Sequence, residues 1–167
     1  NVAIGYAALS VEDTGAKNTA IGRATLQATT TQSNNTAVGY NALSGGSNTA
    51  SDNTAVGMDA LTSTTSGGSN TAVGVSALTA NTTGVNMTTV GYNAGLSHTT
   101  GNSSTFIGTD SGKLTTTGVG NTFVGDGSGR QNTTGGSNVA MGQSALLANT
   151  TAGSNTAFGY YALTATT

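Results

Sequence analysis

A short motif, N-T-A-V-G-x-x-A-L, recurs along the whole 167-residue chain and limits its fold more than any other feature. The motif glycine returns ten times, with 17 residues between successive copies except for one gap of 18, which we place within residues 45–52. The motif glycines are Gly5, Gly22, Gly39, Gly57, Gly74, Gly91, Gly108, Gly125, Gly142 and Gly159. We call each repeat a coil and number its positions so that the glycine is position five. A fixed short period predicts a solenoid, because a disordered chain needs no register.

The residue types within a coil predict β-structure. Gly, Asn, Thr and Ser occur throughout, and they disfavour helix. Each coil alternates over its first four positions, reaches the glycine, continues into a second short segment such as that around Ala42 and Leu43, and ends in a glycine-rich corner. This pattern predicts two short strands and two turns per coil. We therefore expect an all-β fold, a parallel β-roll or β-solenoid of ten ~17-residue coils stacked about 4.8 Å apart.

Equivalent positions of the stacked coils should form rows. Position four is aliphatic or bulky in every coil, so we expect its side chains to form the core. The predicted core residues are Ile4, Ile21, Val38, Val56, Val73, Val90, Ile107, Val124, Met141 and Phe158. Position one is Asn in eight coils, where stacked amides can bond along the row at a corner. These residues are Asn1, Asn18, Asn35, Asn53, Asn70, Asn121, Asn138 and Asn155.

Positions three and nine vary together. Where position three is Ala, position nine is Leu, but coils seven and eight pair Phe106 with Gly112 and Phe123 with Gly129. Coil six is intermediate, with Thr89 and Gly95. Since dense interiors conserve volume, the two positions should fill one shared space, either inside the roll or between chains. The two phenylalanine rings should then stack roughly 5 Å apart.

The repeats resemble those of a known family. The copies N-V-A-I-G (residues 1–5), N-T-A-I-G (residues 18–22), N-T-A-V-G and N-T-F-V-G resemble the head repeats of YadA-like trimeric autotransporter adhesins. Related repeats occur in trimeric phage tail fibres. The resemblance covers the whole chain, although the period is longer than in the usual adhesin head. It implies a left-handed roll, three chains around one axis, and an extracellular binding head on a cell surface or virion.

The thin core favours association. A coil offers about two large apolar side chains, the Ala row at position three permits close approach of chains, and solenoids need caps or neighbours at their ends. We expect a homo-oligomer, a trimer before a head-to-tail filament. We also expect residues 1–167 to form a single array within a longer fibrous protein.

Composition narrows the function. The net charge of -2, with 6% charged residues, does not indicate nucleic-acid binding. No run of apolar residues approaches the roughly 20 that a membrane-spanning helix needs. The chain has no Cys, and we expect no metal or cofactor. We predict a structural or adhesive fibre module, not an enzyme, that binds a cell-surface or glycan ligand through a repetitive polar face. The candidate ligand-facing residues are the position-six tyrosines Tyr6, Tyr40, Tyr92 and Tyr160.

Two alternatives are a self-assembling extracellular filament and an ice-binding solenoid. The ice-binding hypothesis rests on threonine pairs along one corner, since regular threonine surfaces suit ice. These pairs are Thr29-Thr30, Thr64-Thr65, Thr82-Thr83, Thr99-Thr100, Thr115-Thr116 and Thr150-Thr151.

Other local motifs point only weakly to chemistry. Residues 108–115 are one residue short of a P-loop, and residues 126–132 begin like a calcium loop but lack its closing Glu. Asp110 and Asp126 lie one coil apart, yet Lys113 and Arg130 share position ten of the same coils, so mutual neutralisation is favoured over carboxylate catalysis. The only histidine, His98, is expected to be a solvated corner residue. Six N-x-S/T sequons should mark solvent-facing corners: Asn34, Asn81, Asn86, Asn102, Asn132 and Asn149.

Overall fold

The computed structural model describes residues 1–11, 14–27, 31–45 and 49–165. The described residues form ten three-residue strands that lie in one parallel sheet in sequence order. The strands are β1 (Val2–Ile4), β2 (Thr19–Ile21), β3 (Thr36–Val38), β4 (Thr54–Val56), β5 (Thr71–Val73), β6 (Thr88–Val90), β7 (Thr105–Ile107), β8 (Thr122–Val124), β9 (Val139–Met141) and β10 (Thr156–Phe158). The prediction of an all-β parallel solenoid with turns of about 17 residues is confirmed.

Equivalent motif positions pair between neighbouring strands all along the sheet. Even across the 18-residue coil, Ala37 pairs with Ala55 and Val38 with Val56. The extra residue is therefore absorbed outside the sheet. Part of the segment where we placed it, residues 46–48, lies outside the described residues.

The expected second strand is absent from the described part of each coil. Positions seven and nine have left-handed backbone, as at Asn41 (φ 54°) and Leu43 (φ 50°), so the segment turns instead of extending. Hydrogen bonds still join the coils there, because the Leu43 N–H donates to the Ala60 carbonyl at 2.9 Å. A leucine in this conformation is strained, but its side chain is fully buried. The apolar pattern around Ala42 and Leu43 thus reflects an inward-facing turn.

The motif glycine has two reasons to be glycine. Gly39 has φ 133°, which side chains strongly disfavour. A Cβ built on it would lie 2.6 Å from the carbonyl oxygen of Gly57 in the next coil. This corner of the coil therefore depends on close backbone stacking.

The predicted position-four core is wrong for the single chain. The strand turns position three inward, so Ala37 and Phe106 are fully buried, whereas Ile107 is 38% and Phe158 is 78% exposed. The position-four side chains lie on the outside of the sheet: Ile4, Ile21, Val90, Ile107, Met141 and Phe158 are exposed, and Val38, Val56, Val73 and Val124 are half-buried. The physical reason is that the coil is narrow, so leucine from position nine fills it and leaves room only for alanine on most strands.

The shared space of positions three and nine is confirmed and lies inside the roll. A Cβ added to Gly129 would come 2.5 Å from Cδ2 of Phe123, and one added to Gly112 would come 2.8 Å from Cδ1 of Phe106. The two phenylalanine rings stack with centroids 5.4 Å apart and planes at 13°. A large residue on one side of the coil therefore requires a small one on the other.

Candidate binding surface

The asparagine row at position one is a buried structural ladder. Asn121 is fully buried; its Oδ1 accepts from the Asn138 N–H at 2.9 Å, and its Nδ2 donates to the Gly135 carbonyl at 2.8 Å. The first bond joins two coils and the second closes one coil. The predicted bonding along this row is confirmed, and amides used in this way do not face a ligand.

The corner threonines divide into two rows. The Thr82 hydroxyl donates to the Thr99 carbonyl at 3.1 Å, and the same inter-coil bond follows from Thr99, Thr116 and Thr133. The neighbouring threonines at position fourteen are exposed, at Thr83, Thr100, Thr117, Thr134 and Thr151. Thr64 and Thr115 of the predicted pairs occupy position twelve instead and are fully buried. The hydroxyl groups of one of the two rows are thus engaged in hydrogen bonds between coils. The pair Thr29-Thr30 lies outside the described residues.

The outside of the sheet carries a second threonine row. We call positions two and four of the ten strands the outer face; none of its side chains is charged. Position two is threonine in eight strands, at Thr19, Thr36, Thr54, Thr71, Thr88, Thr105, Thr122 and Thr156. The described part of the chain supplies no hydrogen-bond partner for these hydroxyls, and the aliphatic row of position four runs beside them. Sequence reasoning missed this face because it turned position four inward.

The four predicted ligand-facing tyrosines are all on the surface, Tyr6 and Tyr40 at one place and Tyr92 and Tyr160 in distant coils. Tyr6 is 77% exposed and Tyr160 is 72% exposed, with Tyr40 and Tyr92 also exposed. Tyr6 and Tyr40 flank Arg23, which occupies position six of the coil between them. The sequence offered that signal, since all three residues share position six.

The acidic and basic residues of coils seven and eight form an ion-pair cluster. Asp110 pairs with Lys113 at 3.1 Å and with Arg130 at 3.4 Å. Burial raises the pKa of Asp110, but hydrogen bonds from Asn93 and Lys113 and the charges of Lys113 and Arg130 outweigh it and hold the pKa below its usual value. Asp126 lies outside the cluster, exposed and accepting a bond from Gln143 at 3.4 Å. The predicted neutralisation is confirmed for Asp110.

The expectation that His98 is solvated is wrong. His98 is fully buried, its Nε2 lies 2.8 Å from the Gly101 carbonyl, and its ring meets Phe106 edge-on at 5.9 Å. Desolvation lowers its pKa, and the hydrogen bond to Gly101 offsets this only in part. Position twelve, which His98 occupies, therefore points into the coil.

The same inward direction corrects half of the sequon prediction. Asn81, Asn132 and Asn149 share position twelve and are fully buried. Asn34, Asn86 and Asn102 are exposed as expected.

The described residues show no pocket, no group of three side chains suited to a metal ion, and no helix of the length and apolarity that crossing a bilayer requires. What they offer a partner is an extended surface of repeated rows. Comparisons with protein-family models, with curated proteins and with solved structures found no match.

Proposed function

We propose that this chain is a structural and adhesive module of an extracellular fibre, displayed on a bacterial surface or virion. In this proposal copies of the chain associate through the outer face, with a trimer as the preferred assembly. The remaining polar surface binds a cell-surface or glycan ligand. The observation that carries the proposal is the uncharged outer face that continues along all ten strands.

The ladders between coils support a load-bearing role. Each step of the stack has strand pairing, such as that of Thr71 with Thr88. Most steps add a position-one side-chain bond, and the steps from coil four to coil nine add a threonine bond at the corner. Since the same bonds recur in register, the coils form a regular rod about 45 Å long at the usual strand spacing. A rod of this kind displays identical groups at fixed intervals, so weak contacts to a repetitive ligand add up.

The aliphatic row supports association of copies. Ile21, Ile107 and Met141 are 37–38% exposed on one side of the sheet, and position four is apolar in every strand. A continuous exposed apolar row is a typical protein contact surface. Flanking threonines, which are neutral, allow a second copy to approach without burying a charge.

Sedimentation with an outer-face variant tests this assembly. We expect the wild-type chain to sediment as an oligomer of fixed mass at micromolar concentration, and Val90→Lys, at an exposed position-four site, to weaken it by burying a charge at the interface. Val75→Lys is the matched control, because Val75 is also surface-exposed but belongs to position six. A folded wild-type monomer, or equal loss in both variants, would contradict association through the outer face.

Two alternative functions give different results in the same measurements. A head-to-tail filament would grow in mass with concentration instead of reaching a fixed size. Ice binding is favoured by the free position-two hydroxyls beside methyl groups, a regular array that would stay open in a monomer. Thermal hysteresis with shaped ice crystals, lost on Thr71→Lys, would support that alternative over the fibre.

A further inference from the structure

Position six of the first three coils forms a compact cluster of two aromatic rings and one cation. The guanidinium carbon of Arg23 lies 5.7 Å from the ring centroid of Tyr6 and 5.4 Å from that of Tyr40. Its Nη1 donates to the Tyr40 hydroxyl at 3.1 Å. All three side chains are exposed. Cation–π contacts on both sides hold the guanidinium at a fixed place on an open surface.

The cation in this cluster has no carboxylate partner among the described residues. The two basic side chains of coils seven and eight differ in this respect, because Lys113 and Arg130 both bond Asp110. Arginine carries five N–H donors in a planar fork, and the Tyr40 hydroxyl takes only one bond. An ordered guanidinium with unused donors is suited to an anion with two oxygens in a plane.

We propose that Tyr6, Arg23 and Tyr40 bind a carboxylate-bearing sugar, such as a uronic acid unit of a glycan. The guanidinium donates two parallel hydrogen bonds to the carboxylate. The tyrosine rings pack against the apolar C–H groups of the sugar, and their hydroxyls bond its hydroxyl groups. This assignment rests on the proposed adhesive function, for which it names the class of ligand and one place of contact.

The other predicted ligand-facing tyrosines lack this combination. Tyr92 has Val75 and Thr109 at position six of the neighbouring coils. Tyr160 meets the ring of Tyr161 edge-on at 4.6 Å, and no arginine lies over either ring in the described residues. Because the site needs an arginine beside the tyrosine rings, it is restricted to coils one to three. Tyr92, an exposed tyrosine without a neighbouring arginine, can therefore serve as a control for ring contacts alone.

Titration with an oligogalacturonate hexamer tests the site, with its methyl ester as the control ligand because esterification removes only the charge. By NMR or calorimetry at low salt we expect the acid, and not the ester, to bind. Arg23→Gln should weaken binding by roughly ten- to a hundredfold, the usual contribution of charged hydrogen bonds. Arg23→Lys should restore a part of it, because lysine keeps the charge but lacks the planar fork. Tyr92→Ala should leave binding unchanged.

The glutamine variant keeps a residue that the fold already accepts, since Gln143 occupies position six of coil nine. A wild-type-like circular dichroism spectrum would verify this. Equal binding of the acid and the ester, full binding by Arg23→Gln, or equally tight binding of a poly-glutamate peptide would each overturn the sugar assignment. Failure of the fibre proposal is separately visible, because it appears as a wild-type monomer in sedimentation whatever this titration shows.

Discussion

Coils four and eight fill the same interior in opposite ways. In coil four the strand contributes the small Ala55 and the turn contributes Leu61, whereas in coil eight the strand contributes Phe123 and the turn contributes Gly129. The side chains of Ala55, Leu61 and Phe123 are all fully buried. The large group has moved from one wall of the coil to the other while the core has stayed closed.

The backbone is the constant part of this comparison. The turn position has φ 52° at Leu61 and φ 58° at Gly129, so the left-handed conformation is kept whether or not the residue has a side chain. Glycine at residue 129 is thus required by the Phe123 ring that faces it, and not by the turn, whose conformation Leu61 also adopts. Interior volume is therefore what stays constant between the two coils, and the strained turn is accepted because burial of a leucine offsets its cost.

Position eight also differs between coil four and the phenylalanine coils. Coil four has Ala60 there, while coils seven and eight have Ser111 and Ser128. The Ser111 hydroxyl donates to the Phe123 carbonyl at 3.0 Å, and the Ser128 hydroxyl donates to the Ala140 carbonyl at 2.9 Å. The phenylalanine coils therefore gain a side-chain bond to the next coil that the leucine coils lack.

The largest expected effect comes from emptying the phenylalanine side of this comparison. Phe123→Ala should destabilise the fold by about 3–5 kcal/mol, because glycine on the opposite wall cannot fill the cavity. Tyr92→Ala removes a similar ring from an exposed site and should change stability by less than about 0.5 kcal/mol. Chemical denaturation at fixed chain concentration measures both. Similar losses in the two variants would show that the buried ring has no special packing role.

Filling the opposite wall is the next test. Gly129→Leu alone should destabilise by roughly 1–3 kcal/mol, because its Cβ would meet the Phe123 ring at 2.5 Å. Combined with Phe123→Ala it should recover a good part of the lost stability, since the pair then matches Ala55 and Leu61. This coupling is what residues that share one space display. A double variant no more stable than Phe123→Ala would show that positions three and nine do not fill one shared space.

The comparison itself was accessible from the sequence. The repeat period alone established the solenoid, and the opposite sizes of positions three and nine located a shared space. Stacking of Phe106 on Phe123 followed from their places in adjacent coils. These inferences succeeded because they depend on register and volume, which ten aligned copies reveal directly.

Register and volume did not reveal which strand positions face the interior of the coil. Alternation shows that positions three and four face opposite sides, but not which side is inside, and the larger side chains of position four were wrongly turned inward. The segment around Leu43 was predicted as a strand because its residues are apolar, but apolar residues occur in buried turns as well as in buried strands. The left-handed backbone at Leu43 makes this segment a turn. The prediction for His98 failed for a different reason: a polar residue that is buried inside a corner has no sequence pattern that distinguishes it from an exposed one.

Coil six contains a buried histidine, which should make the stability of the fold depend on pH. His98 packs against Phe106 at position twelve, where coils five, eight and nine place asparagine, and burial lowers its pKa. Because the folded pKa is below the unfolded value of about 6.5, the unfolded chain binds more protons as the pH falls. Stability should therefore be highest above about pH 6.5 and fall as the pH drops towards pH 5. Thermal unfolding at pH 8 and pH 5 measures this loss.

A matched variant isolates the histidine. Asn132 occupies the same position in coil eight and donates to the Gly135 carbonyl at 3.0 Å, so His98→Asn should keep the equivalent bond to Gly101. This variant should lose most of the dependence of stability on pH between pH 8 and pH 5. An unchanged slope in His98→Asn would mean that burial of this imidazole does not control acid stability.

The smallest expected effect concerns the surface of the phenylalanine coils. Asp110 is held by Lys113 and Arg130, whereas Asp126 accepts a bond from Gln143 and has no ion-pair partner among the described residues. The two residues therefore compare a neutralised with an unpaired carboxylate. The lowered pKa of Asp110 means that its contribution is present above its unfolded pKa of about 3.9 and is lost as the pH falls through the folded value. Because the Asp110 pair with Arg130 is partly solvated, Asp110→Asn at pH 7 should cost less than about 1 kcal/mol, and Asp126→Asn should cost still less. Because salt screens exposed ion pairs, the loss of stability caused by Asp110→Asn should be smaller in 0.5 M salt than in 0.05 M salt, as measured by chemical denaturation. A larger loss from Asp126→Asn, or a loss that salt does not alter, would show that the ion pairs do not stabilise these coils.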